Sequence, residues 1–295
     1  MLADMDKRLR QLQLQTRYPV EHMLAGEYRS VFKGRGMDFD EIRPYEPGDD
    51  VRTIDWNVTA RTGHPHIRRY IEERELAVWF LVDTSASCRT GHGAHTKWDV
   101  IHEITALLTL SATRNNDRTG LILFSDRVEQ VIPPRKGRLH AMRLLNDLIK
   151  VEPQGRETNL QPALDALAHL ARRRSLVFII SDFLFDTNRE QLGAMGFRQD
   201  MIAIAVNEPQ EIEPPVCGLA AVADSETGEA MLCDFNRAHQ ADYRRAFSNQ
   251  RAALKIELDA VGADLIELTT QSNCAEALTL FFRKRLRRAA DETGG

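Results

Sequence analysis

Residues 80–88 read FLVDTSASC, an apolar run that breaks into an aspartate and then sets hydroxyls at alternate positions. The run begins upstream as LAVWFLVD, residues 76–83, and its lack of polar interruption predicts a strand buried on both faces. Such strands belong to parallel sheets covered by helices on both sides. The sequence downstream has the alternation this requires. KWDVIHEITALLTLSATRN (97–115) has helical spacing, with Val100, Ile104, Leu107, Leu108 and Ala112 on one side. TGLILFS (119–125) and SLVFIISDF (175–183) read as buried strands, with VEQVIPP (128–134) as a further strand beside the first. LHAMRLLNDLIKV and LQPALDALAHLARR lie between them as helices. MIAIAVN, a hairpin over GLAAVADSETGEAMLCD, a long helix over 236–262, the strand ADLIELTT and the helix CAEALTLFFRKRLRRA complete the series. The predicted fold is α/β, a mostly parallel central sheet with helices on both faces.

Composition narrows the function classes. The 295 residues are 43% hydrophobic and 28% charged, an ordinary globular balance. A net charge of -4 gives no global attraction to nucleic acid, and none is expected as a partner. Cys88, Cys217, Cys233 and Cys274 are scattered without a CxxC pair, as expected of free thiols in a reducing compartment. The charged start MLADMDKRLRQLQLQ lacks the apolar core of a secretory signal, and no apolar run reaches membrane-spanning length. The expected location is the cytoplasm.

Residues 26–75 differ in texture. They are rich in Gly, Arg, Asp and Glu and poor in periodic apolar positions, which predicts loops and short strands. Interleaved Phe39, Ile42, Tyr45, Ile54, Trp56 and Tyr70 imply that the segment folds against something. Two units are expected, an N-terminal helix and Arg/Asp-rich subdomain over 1–75 and the α/β domain over 76–295.

In an open α/β sheet, ligands bind outside the carboxyl ends of the strands. Asp83 and Asp182 end two of the predicted core strands, and Thr158 precedes a helix in the loop GRETNLQPAL. With Ser85 and Ser87 they make five oxygen-bearing side chains in three loops at one sheet edge. Alternate residues of an extended segment point the same way, so Asp83, Ser85 and Ser87 can converge. Hard oxygen donors with few carboxylates suit Mg²⁺, with Mn²⁺ or Ca²⁺ as alternatives. The same residues also suit helix caps and a turn. His92 and His95, in CRTGHGAHTKW, lie near enough to modulate such a site.

DTSAS resembles the DxSxS signature of the von Willebrand factor A domain, with Thr158 and Asp182 following in the order that fold uses. The resemblance implies a metal-ion-dependent adhesion site at these five positions, completed by an acidic group from a partner. Glu157 stands where that family usually has glycine. Upstream, FDEIRPYEPGDDVRTIDWNVTARTGHPHIRRYIEERE is similar to the hallmark of the family called domain of unknown function 58. Arg43, Tyr45, Asp49, Asp50, Arg52, Asp55, Trp56 and Arg61 carry that likeness. They can act as a carboxylate–guanidinium framework or as a partner-recognition surface. The family resemblance implies a non-enzymatic adaptor or chaperone-like partner of a MoxR-type AAA+ ATPase.

Two other readings compete. Asp83 could be the nucleophile of a metal-dependent phosphatase or hydrolase, although such chemistry normally wants a second carboxylate two residues on, where Ser85 stands. The basic run FFRKRLRR (281–288) could rest on acidic lipid or phosphate, or could pack Leu278, Phe281, Phe282 and Leu286 on the sheet with its arginines in solvent or pairing with the helix C-terminus.

Overall fold

The computed structural model describes residues 16, 19–20, 24–32, 41–46, 54, 56–69, 76–91, 93, 95–185, 187 and 189–293. Strand β3 (Ala77–Asp83) shows why its sequence is apolar throughout. Val78, Phe80 and Val82 enter one core, while Trp79 and Leu81 enter the other. The same division runs through β4 (Arg118–Phe124), β6 (Leu176–Ser181) and β7 (Asp200–Asn207), since successive side chains leave a strand on opposite faces. With β5 (Val128–Arg135) and β10 (Asp264–Thr269) these strands form a six-stranded sheet ordered β10-β7-β6-β3-β4-β5. Every pairing is parallel except β4 with β5 at the edge.

Helices cover both faces. One face takes α3 (Lys97–Arg114), α4 (Arg138–Lys150) and α9 (Cys274–Thr293); the other takes α5 (Gln161–Leu170), α6 (Arg189–Gly196) and α8 (Arg237–Ala260). Phe80 and Phe178 stack across adjacent strands with centroids 5.6 Å apart. Each fully buried aromatic of this kind stabilises the fold by about 1.5–3 kcal/mol. Thr96 and Asp99 close a reciprocal capping box at the start of α3, fixing where the helix leaves the preceding loop. The short α7 (Pro209–Ile212) follows β7, and β8 (Gly218–Ala223) pairs with β9 (Ala230–Phe235) in a hairpin outside the main sheet.

The upstream region is less loop-like than its composition suggests. It contains α1 (Ala25–Phe32) and α2 (Trp56–Thr62), besides β1 (Glu41–Pro44) paired antiparallel with β2 (His66–Arg69). Leu24 and Tyr28 are buried in the core of the main sheet. Tyr28 meets Phe282 edge-on at 6.0 Å, and Phe32 meets the same ring at 5.6 Å. This segment therefore shares its core with residues beyond 76. The predicted helix over the first twenty residues lies mostly outside the described residues.

The basic run of α9 packs as the second of its two readings has it, except that three of its four arginines find carboxylate partners. Leu278 and Phe282 are fully buried. Arg283 bonds Glu27 at 2.8 Å, Arg285 pairs with Asp200 and Asp264, and Arg288 pairs with Asp264 at 3.0 Å. No helix among the described residues is long and apolar enough to cross a membrane. All four cysteines are free thiols.

Candidate metal centre

Asp83 is the last residue of β3, and Asp182 is the first after β6, its neighbour. From β3 the chain runs outward to β4 and β5, then crosses to β6 on the opposite side. The two carboxylates thus flank the point where strand order reverses, which is the ligand-binding crevice of open α/β sheets. Carboxylate oxygens of both and the Cys88 sulfur lie within 4.8 Å of one another, all three residues being buried.

Asp83 is held from two sides. Its Oδ1 accepts the Ser85 N–H at 2.9 Å, and its Oδ2 accepts the Ser181 hydroxyl at 2.6 Å. Burial, reinforced by the nearby Asp182 charge, pushes its carboxyl up to about 7 against the pull of these hydrogen bonds. The Cys88 thiol is pushed up as well, first by burial and then by both aspartates.

Ser85 and Ser87 do converge, with their Oγ atoms 3.1 Å apart, but not through extended backbone. Ala86 between them is in the right-handed helical region, and Ser87 opens a 3-10 turn over Ser87–Arg89. The coil, rather than strand alternation, brings the two hydroxyls together.

Asp182 has an internal counter-charge that sequence reasoning missed. Lys97, the first residue of α3 and fully buried, donates to Asp182 Oδ2 at 3.0 Å and to Glu211 Oε1 at 2.6 Å. Burial works against this ammonium, but Asp182 and Glu211 outweigh it and hold its pKa above the usual lysine value. A lysine in the first turn of a helix opposes the helix dipole, and that anomaly was the available signal. The Asp182 carbonyl accepts from Arg251 and, at 3.2 Å, from Asn207, which fixes the loop after β6.

Thr158 lies in a loop tied to the serine loop by an Ala86 N–H to Arg156 O bond of 2.9 Å. Glu129 accepts the N–H groups of Gln154 and Gly155 at 3.1 and 2.8 Å. A Cβ at Gly155 would fall 1.8 Å from Asp126 Oδ1 and 2.3 Å from Ser125 Oγ, so a larger residue there must push those side chains aside. The Thr158 hydroxyl itself donates to Glu226 Oε1 at 2.6 Å, from the tip of the β8–β9 hairpin. Glu157 is solvent-exposed, away from the crowding its carboxylate could have caused. His95 is also exposed, and His92 lies outside the described residues.

The donor set fits a hard divalent cation. Two buried carboxylates in close approach repel, and the Lys97 ammonium that answers Asp182 is shared with Glu211. Hydroxyl oxygens of Ser85 and Ser87 complete an oxygen-rich set of the kind Mg²⁺ takes.

Of the upstream signature, Asp49, Asp50, Arg52 and Asp55 lie outside the described residues. Arg43 stands in β1 and Tyr45 directly after it, its N–H bonded to Pro65 O at 2.8 Å. Trp56 is 70% exposed and Arg61 is exposed.

The family model described as "Protein of unknown function DUF58" matches residues 41–253. The chain belongs to the DUF58 family. Uncharacterized protein Rv1480 of Mycobacterium tuberculosis is 34% identical over 284 residues, covering 95% of this DUF58 chain and 90% of the relative. Uncharacterized protein MAV169 of Mycobacterium avium is 31% identical over 161 residues, which are 54% of this chain and 95% of the relative. Among solved structures, BatB from Bacteroides thetaiotaomicron aligns with a TM-score of 0.48 at 14% identity, covering 72% of this chain and 99% of that one. The SpRpn10 VWA domain aligns at 0.45 and 12% identity, covering 69% and 93%. This DUF58 chain's own strand order, with one antiparallel edge and oxygen-bearing loops at the switch point, makes it von Willebrand factor A-like.

Proposed function

We propose that this DUF58 protein is a non-enzymatic, divalent-cation-dependent protein-interaction module. Asp83, Ser85, Ser87, Thr158 and Asp182 would hold Mg²⁺, or Mn²⁺ or Ca²⁺ in its place. The observation that carries this is the close approach of two buried carboxylates at the sheet's switch point, with hydroxyl oxygens beside them. A bound cation supplies a Lewis-acidic position at the crevice mouth, which an acidic side chain of a protein partner can complete. The family resemblance makes a MoxR-type AAA+ ATPase the partner to try first, with the DUF58 chain as adaptor in the assembly of other complexes.

Binding is favoured over group transfer by the surroundings of Asp83. Where a phosphotransferase nucleophile would have a second carboxylate two residues on, Asp83 has Ser85. Surface binding through α9 is disfavoured because Arg283, Arg285 and Arg288 are engaged by carboxylates of the fold.

The test is calorimetric titration of Mg²⁺ into wild type and Asp83→Ala, followed by co-precipitation with a MoxR-type ATPase with and without chelator. Binding of the ATPase that needs both the cation and Asp83 is the expected result. An ATPase retained equally by both proteins in chelator would remove the cation from recognition, and phosphatase turnover that vanishes with Asp83 would replace the adaptor reading.

A further inference from the structure

The β8–β9 hairpin is an arm whose attachment to the cation site is specific. Among the described residues its strands pair only with each other. Leu219, Met231 and Leu232 are each at least 66% exposed. An isolated two-stranded ribbon is marginal by itself, so its contacts at the tip matter to where it lies. The tip makes two. Thr158 donates to the Glu226 carboxylate at 2.6 Å, and Arg156 donates to the Ser225 carbonyl at 3.1 Å.

The turn presents Glu226 in a set orientation. Asp224 Oδ1 accepts the N–H groups of Glu226 at 2.7 Å and Thr227 at 3.1 Å, and Asp224 O accepts the Gly228 N–H at 2.9 Å. Gly228 has φ +75, a left-handed conformation that a side chain would strain. A rigid turn thereby delivers a half-buried glutamate to a hydroxyl of the proposed cation set. Electrostatics alone argue against putting it there. The site and its border already contain the carboxylates of Asp83, Asp182 and Glu211, against the buried Lys97 ammonium and the buried Arg251 guanidinium on the Asp182 carbonyl. A fourth carboxylate on Thr158 makes sense where a divalent cation balances it.

We infer that Glu226 is the chain's own acidic ligand for the cation site, so that the hairpin tip occupies the position a partner's carboxylate would take. This rests on the cation reading of the five residues above. A partner's acidic group must then displace Glu226, and the exposed apolar ribbon moves with it.

The experiment uses the full chain with Mn²⁺ as the probe. Mn²⁺ affinity and the relaxation of water protons by bound Mn²⁺ are measured for wild type, Glu226→Gln and Asp83→Asn, with circular dichroism confirming the fold of each. Glu226→Gln keeps the size and a hydrogen-bond acceptor for Thr158 but loses the charge. The expected result is Mn²⁺ affinity about tenfold lower in Glu226→Gln, with stronger water relaxation per bound ion as water replaces the carboxylate. Asp83→Asn should lose tight binding altogether. If Asp83→Asn binds weakly while Glu226→Gln matches wild type in both readouts, the hairpin inference fails and the cation site stands. If Asp83→Asn binds Mn²⁺ as wild type does, the cation reading fails and takes the inference with it.

Discussion

Lys97 offers the sharpest test of the electrostatics at the sheet edge. Lys97→Met keeps most of the side chain's volume and removes its charge. The ammonium is fully buried and bonds Asp182 at 3.0 Å and Glu211 at 2.6 Å. Removing one partner of a buried ion pair costs about 3–5 kcal/mol, because the other charge is left without compensation. Set against a total stability of about 5–15 kcal/mol, the variant should still fold while losing a large share of its margin. Urea is the suitable denaturant, since guanidinium chloride would screen the pair under test. In chelator, the unfolding free energy should fall by about 3–5 kcal/mol. The second arm adds Mg²⁺. With its ammonium gone, Asp182 is free to face a cation, so Mg²⁺ should stabilise the variant more than it stabilises wild type. Each tenfold gain in affinity appears as about 1.4 kcal/mol under saturating metal. A loss below about 1 kcal/mol in chelator would refute Lys97 as the site's internal counter-charge. Equal Mg²⁺ stabilisation of both proteins would refute competition between the lysine and the metal.

Three further perturbations probe other parts of the molecule. Burial raises the Asp83 carboxyl from 3.8 to about 7, so in chelator its contribution to stability is fully present below the unfolded value and is lost as pH rises through 7. Asp83→Asn should therefore stabilise the metal-free protein by a few kcal/mol at pH 8 and by little at pH 4 in thermal melts; a pH-independent difference would contradict this. Gly155→Ala puts a methyl 1.8 Å from Asp126 Oδ1, so it should cost about 1–3 kcal/mol and weaken Mg²⁺ binding by shifting the Thr158 loop. Unchanged calorimetric affinity would show that the loop yields without moving Thr158. Arg285→Met removes the partner of Asp200 and one of the two partners of Asp264, and should lower the urea unfolding free energy by about 1 kcal/mol, with Mg²⁺ affinity unaffected.

The fold was legible in the sequence because its strands are buried on both faces. AVWFLVD and LVFIIS permit little besides central strands, and the helices between them show their apolar stripes. The main aspartates were legible too, since each directly ends such a strand. The upstream region was harder. Leu24, Tyr28 and Phe32 recur four residues apart, but AGEYRSVF is only eight residues long and otherwise polar, so its helical period hides in a charged background. Lys97 showed as an anomaly at a helix start, but its partner and that of Glu226 were beyond reach for a different reason. Their bonds to Asp182 and Thr158 span 85 and 68 residues of chain, and only the folded sheet brings those positions together. The serine hydroxyls were foreseen with the wrong backbone, because nothing in DTSAS distinguishes an extended segment from the coil at Ala86.

The arginines of α9 reach Asp200 and Asp264, the first residues of β7 and β10, whereas the oxygen cluster sits where β3 and β6 end. The eight residues of β7 separate the two rims, about 23 Å over seven steps of 3.3 Å. That exceeds the range over which substitutions usually couple, about 7–10 Å. One rim of the sheet can thus be loosened or tightened to set the protein's lifetime, while the other is tuned for its ligand, without either adjustment reaching across.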